Sequence, residues 1–268
     1  MERATYTIAG GATDADRLAR QATVMASSTL RFLERAGLRG GDSCLDVGCG
    51  DGQTTIAMAR AVGTTGRVTG VDLDDGALEI ARRAADDAGV PASFLHADAG
   101  RDGLPDTGAD LAFARLVLSH LVDPMAVVRA MASAVRPGGV VAVEDIFTPT
   151  LRSEPPVPAL DDLADVYAAT VRFHGGDPTI GPRLAAHLTA AGLVDVHEET
   201  VENPMTTATQ KMFLAELLDN MRDAVASAGT ATPDRLDTIR AAVAAGAQRP
   251  DTVFFQARMH QVSARRPQ

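Results

Sequence analysis

The chain has 268 residues, 46% of them hydrophobic and 22% charged, which is enough for one substantial α/β domain with an elaboration and too little for two full domains. A net charge of −10, a single lysine (Lys211) and no tryptophan exclude a nucleic-acid binder, which needs clustered Lys and Arg and aromatic platforms for stacked bases. No apolar run approaches the roughly 18 residues of a membrane span, and the opening MERATYTIAGG lacks the basic-then-apolar pattern of a secretory signal, so the chain reads as soluble and cytoplasmic.

In chain order, residues 14–36 place Leu18, Ala22, Met25, Leu30 and Leu33 at helical spacing with Gly37 as a C-cap, and predict a leading helix. A short apolar strand, SCLDV (43–47), feeds a glycine-rich turn and a helix over 53–63 closed by Gly63. The rhythm repeats as strand 67–72, helix 75–88 ended by Gly89, strand 92–98, strand 109–115, helix 124–135, an RPGG turn and strand 140–147. Strands alternating with helices predict a doubly wound, mostly parallel sheet covered on both faces. After Phe147 the Pro-rich stretch 148–158 breaks regular structure and leads to a helix over 159–174 and the loop HGGDPTIG. Helix 182–191 and strand 192–201 resume the pattern. A helical excursion then carries Met212, Leu214, Leu217, Leu218, Met221 and Val225 on one face, a helix covers 233–246, and an alternating strand, 252–264, closes the chain. Cys44 and Cys49 have neither metal-ligand spacing nor a disulfide framework, and read as buried free thiols.

A strand, a glycine turn and a helix make a nucleotide-type site, because missing Cβ atoms let a ligand approach backbone and the helix start offers free N–H groups. The dinucleotide fingerprint wants glycine at the first, third and sixth places. Gly48 and Gly50 fill two, but Gln53 stands at the sixth, and Asp46 puts a negative charge where a pyrophosphate would lie. Asp46 with Gly48, Gly50 and Gly52 instead resembles the acid-x-Gly-x-Gly-x-Gly motif of class I S-adenosylmethionine-dependent methyltransferases, within them the small-molecule, natural-product O-methyltransferase-like group. The resemblance runs from about residue 40 to residue 147. By it, Asp72 in GVDLDD matches the acid that grips the ribose diol, with Leu73 as a flat apolar neighbour for the adenine. Asp98 in HADA, with Ala99, matches the acid that reads the adenine amino group. ARLVLSHLVDP matches the segment after the fourth strand, with Arg115 counted among the cofactor contacts, and RPGGVV the turn before the fifth. The resemblance implies a seven-stranded sheet, S-adenosylmethionine as cofactor and S-adenosylhomocysteine as product.

The chemistry of that ligand agrees, since a sulfonium, an amino acid and a ribose diol suit carboxylates better than a cluster of cations. Two hydroxyls on one carboxylate make charge-assisted bonds of about 1.5–3 kcal/mol each. The competing readings are that Asp72 caps the next helix, since Asp74 and Asp75 follow, and that Asp98 is a turn residue. Asp46 is expected to orient the glycine loop and the cofactor's amino end. Tyr6, Arg17 and Gln21 lie in a leading segment similar to those that fold over the cofactor in several small-molecule methyltransferases. That similarity implies contact with the methionine end, Arg17 on its carboxylate; a solvated surface arginine is the alternative.

Methyl transfer from a sulfonium needs alignment, exclusion of water and removal of a proton, so acceptor-side residues are expected at the carboxyl ends of the fourth and fifth strands. His120 in LSHLVDP and Asp145 in AVEDIF stand there. Both match positions implicated in natural-product sugar O-methyltransferases and quinone-type enzymes, which implies His120 as base or substrate orienter and Asp145 as its partner or as a hydroxyl ligand. Structural packing is the other reading of His120. Glu144 alternates with Asp145, so only one faces the site, and His174 is a second-choice base. The expected organisation is a 1–40 helical segment over the cofactor, a 41–147 cofactor-binding core, and a 148–268 remainder. In that remainder, insertions 148–181 and 203–250 form a helical cap around an acceptor pocket. Phe147, Leu151, Tyr167, Phe173, Met205, Met212 and Phe213 are candidate walls, with plain core as the competing reading. No metal is expected, for want of close His/Cys spacing or an oxygen cage, and the Asn/Asp-Pro-Pro-aromatic signature of enzymes methylating base amines is missing. The expected activity is methylation of a hydroxyl on a secondary metabolite, of the antibiotic-biosynthesis kind, with no membrane or nucleic-acid partner; the sequence leaves the quaternary state open, with a homodimer as the candidate assembly and the leading helix as a segment that could exchange between subunits. The alternatives are C- or N-methylation, or a methyltransferase-like protein turned cyclase, decarboxylase or binding module.

Overall fold

Runs of Val, Ala and Leu punctuated by Gly and Asp build the first half of the chain as strand–helix repeats. The computed structural model describes residues 15–105 and 107–268, with side chains described from residue 24 onward. The leading helix α1 (Ala15–Ala36) is followed by β1 (Ser43–Val47), α2 (Gln53–Val62), β2 (Arg67–Asp72), α3 (Asp75–Ala88), β3 (Ala92–His96), β4 (Ala109–Arg115), α4 (Pro124–Ala134) and β5 (Val135–Phe147). Local chemistry sets these limits. Asp74 caps α3 through the N–H groups of Gly76 and Ala77, Gly89 ends it in the left-handed region, and Asp123 caps α4 with Pro124 in its first turn.

The second half adds β6 (Arg152–Glu154), α5 (Ala159–Phe173), α6 (Leu184–Ala190), β7 (Val194–Val201), β8 (Pro204–Met205), α7 (Ala208–Asn220), α8 (Arg222–Ala228), α9 (Pro233–Gln248), β9 (Val253–Phe255) and β10 (Arg258–Arg265). The main sheet has seven strands in the order β3-β2-β1-β4-β5-β10-β7. Only β10 runs antiparallel to its neighbours, so the expected doubly wound, mostly parallel seven-stranded sheet is the one observed. Alternation along β4 and β5 divides the core. Leu111, Phe113, Val140 and Ala142 pack with Phe32 and Leu33 of α1 and Met58 and Val62 of α2. Ala112, Ala114, Val141 and Val143 pack on the other face with Val128 and Met131 of α4 and Leu184 and Leu188 of α6.

The cap differs from the expected all-helical one. It holds α5, α7, α8 and α9 together with a three-stranded sheet, β6-β9-β8, which the Pro-rich reading of 148–158 left without structure. Its core joins Leu160, Leu163, Phe213, Leu218, Val243 and Phe254, and Met25 of α1 enters it. The single strand expected over 252–264 is two strands in two sheets. Gln256 separates them: its N–H donates to Asn203 O at 3.0 Å, its Oε1 accepts from Asn203 Nδ2 at 3.1 Å, and its Nε2 lies 3.1 Å from Met25 Sδ. The alternation of the sequence runs through this break unmarked. The helical excursion also divides, at Met221, into α7 and α8, and the RPGG turn is absorbed as an irregularity inside β5.

Candidate functional site

The chain leaves β1 through Gly48, Gly50 and Gly52, with φ of 71°, 53° and 78°, a region that costs other L-residues about 1–2 kcal/mol. The three have different duties. A Cβ on Gly48 would lie 2.3 Å from Val117 Cγ2, and one on Gly52 2.8 Å from Ala81 Cβ, so both let the chain pack against itself. A Cβ on Gly50 would meet nothing within 4 Å; this glycine opens onto space. Its N–H donates to Asp72 Oδ2 at 2.8 Å, and Asp72 Oδ1 accepts from the Asp74 N–H at 3.0 Å. Because Asp74 caps α3, the capping duty weighed for Asp72 is already filled. Leu73, beside it, is 46% exposed, a large apolar side chain held out next to a half-buried carboxylate. Further along the same edge Asp98 Oδ1 accepts from the N–H groups of Gly100 and Arg101, each at 3.1 Å, an Asx-type turn. Ala99 packs partly buried on the α4 side of the core.

Asp46 points inward. Its Oδ2 accepts from the Thr55 hydroxyl at 2.6 Å, tying β1 to α2. Burial pushes its pKa up to about 6, opposed by the Thr55 bond and the Arg115 charge. Arg115 stands opposite Glu144 in the β4–β5 register, and its Nη1 donates to Thr29 Oγ1 at 3.3 Å. Thr29 in turn donates to Glu144 Oε2 at 2.8 Å, and Gln261 Nε2 donates to Glu144 Oε1 at 2.9 Å. Burial raises the Glu144 pKa against the pull of Arg115, Gln261 and Thr29. Residues from α1, β4, β5 and β10 therefore meet on one buried carboxylate. Sequence reasoning did not single out Thr29 or Gln261; strand alternation at Glu144 was the one signal near them.

Asp145 takes the opposite face. Its Oδ2 accepts from the Ser119 N–H and its Oδ1 from the Ile146 N–H, both at 2.9 Å. Burial pushes its pKa up to about 6 against the hydrogen bonds from Ser119 and Ile146. Ser119 lies in the 3₁₀ turn Leu118–His120, and Leu116 just before it has a φ of 55°, strained backbone at the carboxyl end of a central strand. His120 is buried, with its ring edge-on to Tyr167 of α5 at 6.3 Å between centroids. The structure thus brings His120, Tyr167 and Asp145 to one end of the sheet, with Asp145 bonded to the peptide beside the histidine. His174 sits in the cap loop with Nε2 3.4 Å from Ala224 O. Of the candidate walls, Leu151, Met205 and Phe213 are buried in the cap core and Phe147 stacks edge-on with His260. Phe173 is 60% exposed. Tyr6 lies outside the described residues, as do the side chains of Arg17 and Gln21 on α1.

An open glycine, a carboxylate one strand away and an exposed leucine beside it suit a nucleoside with a ribose diol. Among the described residues, no three His, Cys, Asp or Glu side chains gather as a metal site, and no helix is long and apolar enough to cross a membrane.

Residues 44–139 match the family model described as a methyltransferase domain. The demethylmenaquinone methyltransferase of Staphylococcus aureus (strain JH9) is 34% identical over 122 residues, which is 45% of this chain and 50% of that protein. The chain therefore spans about half the length of the curated relatives it matches. The YcgJ protein of Bacillus subtilis superposes over 90% of this chain and 97% of its own, with a TM-score of 0.59 and 18% identity. The 4+2 cyclase SpnF superposes over 98% of this chain and 85% of its own, with a TM-score of 0.53 and 22% identity. At these identities the likeness to both is one of fold. The chain has the class I methyltransferase fold, and its residues 44–139 match a methyltransferase domain.

Proposed function

We propose that this chain, with its methyltransferase domain on residues 44–139, binds S-adenosylmethionine and methylates a hydroxyl group of a small organic molecule. The observation that carries the reading is the Gly50–Asp72 contact, 2.8 Å long beside a glycine whose missing Cβ leaves open space. Bound S-adenosylmethionine supplies a methyl group already activated on sulfur. The chain supplies the hold and the geometry. Asp72 accepts from the ribose diol, Leu73 and the Asp98–Ala99 turn face the adenine, and Asp46 steadies the glycine loop through Thr55. Arg115, balanced by Asp46 and Glu144, stands at the carboxyl end of β4, toward the amino-acid end of the ligand. His120 orients the acceptor hydroxyl and takes its proton on an imidazole nitrogen. The cap built from 148–181 and 203–250 dries the acceptor side.

Incubating the protein with S-adenosylmethionine and a panel of phenols and alcohols tests this. Formation of S-adenosylhomocysteine in proportion to methylated acceptor, lost in His120→Ala, is the expected result. Turnover only of carbon or nitrogen acceptors assayed in parallel, insensitive to His120→Ala, selects C- or N-methylation. The fold shared with SpnF, named as a cyclase, supports a second reading in which the cofactor is held without methyl transfer. Binding of S-adenosylhomocysteine with no methylated product from any acceptor is the outcome that favours it.

A further inference from the structure

His120 sits on a turn that cannot hold itself. The 3₁₀ segment Leu118–His120 is three residues long. It is closed by the His120 N–H to Val117 O bond at 3.0 Å, and it follows the strained Leu116; a piece this short takes its position from its neighbours. Ser119, at its centre, is gripped at both peptide groups. On the sheet side its N–H donates to Asp145 Oδ2 at 2.9 Å. On the cap side its carbonyl accepts from the Asp177 N–H at 2.8 Å.

The cap-side grip depends on Gly176. A Cβ there would lie 2.4 Å from Ser119 O, 2.8 Å from Val171 Cγ1 and 3.2 Å from His120 Cα. The loop therefore lies flush against the histidine's own backbone, and only glycine permits it. The loop is anchored in turn. Gly176 N–H donates to Val171 O of α5 at 3.0 Å, and Pro178 O accepts from the Thr148 N–H at 3.1 Å and the Thr148 hydroxyl at 2.7 Å, at the end of β5. Helix α5 thus reaches the histidine twice, through this loop and through the Tyr167 ring.

We propose that Asp145 and the Gly176–Asp177 peptide are two jaws of a clamp that positions His120, with Asp145 acting as a hydrogen-bond acceptor for the turn and not as a proton carrier. The proposal rests on the reading of His120 as the acceptor-side group. It couples the cap to the sheet: a shift of α5 when an acceptor enters is passed to the histidine through Ser119. It also predicts an unusual tolerance. An amide at position 145 still offers its one oxygen to the Ser119 N–H and gives up only the Ile146 N–H that the second carboxylate oxygen accepts, so the conservative variant keeps the jaw on the turn, whereas a proton carrier would be destroyed by it.

The test is by nuclear magnetic resonance on the full chain, with His120 and Tyr167 ring signals assigned through His120→Gln and Tyr167→Leu. The wild type and Asp145→Asn are expected to show the same ring-to-ring Overhauser contact between His120 and Tyr167, and a Ser119 amide protected from exchange. Asp145→Ala and Gly176→Ala are expected to lose the contact, and Asp145→Ala to lose the amide protection at least tenfold. An intact contact in Gly176→Ala, or its loss in Asp145→Asn to the same degree as in Asp145→Ala, overturns the clamp. Asp145→Asn keeps the side chain's size, and where the other variants do not fold, loss of the wild-type contact in a folded Asp145→Asn overturns the clamp by itself. Thermal stabilisation by S-adenosylhomocysteine, measured on the same samples, keeps the two readings apart. Its absence in the wild type sinks the cofactor assignment and leaves the clamp result standing.

Discussion

Gly50 and Gly52 sit two residues apart, and substituting each separates binding from folding. Gly50→Ala puts a methyl into open space at a φ of 53° and is expected to cost about 1–2 kcal/mol of stability. The same methyl takes ground the nucleoside needs, so affinity for S-adenosylhomocysteine falls at least tenfold by titration calorimetry. Gly52→Ala drives its methyl toward Ala81 at 2.8 Å and is expected to cost more, about 2–4 kcal/mol, read from the urea midpoint. A pH prediction belongs at the same scale. Asp46 and Asp145 are both pushed up to about 6 by burial. A carboxyl whose folded pKa lies above its unfolded value makes the native state bind more protons, so these two groups lose stability for the fold as pH rises from about 4 to about 6, and add no slope above that. Asp145→Asn removes one of the two and is expected to flatten that slope, measured as urea midpoints across the window. Which acid does what was only partly legible. GVDLDD offers three carboxylates, and choosing the cap among them requires knowing where α3 starts, which the structure sets at Asp75 with Asp74 as cap. Alternation separates Glu144 from Asp145, but which face holds the acceptor depends on where α1 and the 118–120 turn pack.

Among the elements, the parallel core was legible because its punctuation is chemical. Gly63, Gly89 and the Asp123–Pro124 pair end or start helices where backbone freedom or an N-cap demands it. The small sheet was not, because strands of two and three residues carry no period; Ser153 and Met205 become strand residues only by pairing with Phe254, far away in sequence. Lys211 is the clearest case of a residue whose duty needs the fold. Buried on α7, its Nζ donates to Arg249 O at 2.7 Å and Thr252 O at 2.8 Å and lies 5.7 Å from the Phe254 ring. Burial pushes its pKa down. It fastens α7 to the connection between α9 and β9. Lys211→Met keeps the bulk and strips the buried Thr252 carbonyl and the half-buried Arg249 carbonyl of their donor, at an expected cost of about 2–3 kcal/mol, seen as a lower urea midpoint at unchanged slope.

At the scale of the whole molecule, α1 is the part that joins the two halves. Met25 lies in the cap core, Phe32 and Leu33 in the sheet core, and Thr29 between them bonds Glu144. The proposed cofactor side carries its signal in local motifs, since the loop, Asp72 and Asp98 fall inside the matched span 44–139. The proposed acceptor side carries no such signal, since the cap is built from apolar helices whose Met and Leu residues serve its own core. The open space beside the Gly50–Asp72 contact is the proposed seat of the nucleoside, and titration calorimetry with S-adenosylhomocysteine probes it most directly. The wild type is expected to bind one equivalent, and Asp72→Ala to bind at least tenfold more weakly while its circular dichroism stays that of the wild type, as loss of charge-assisted bonds to two hydroxyls requires. Equal binding by Asp72→Ala, or no binding by the wild type, would contradict the account.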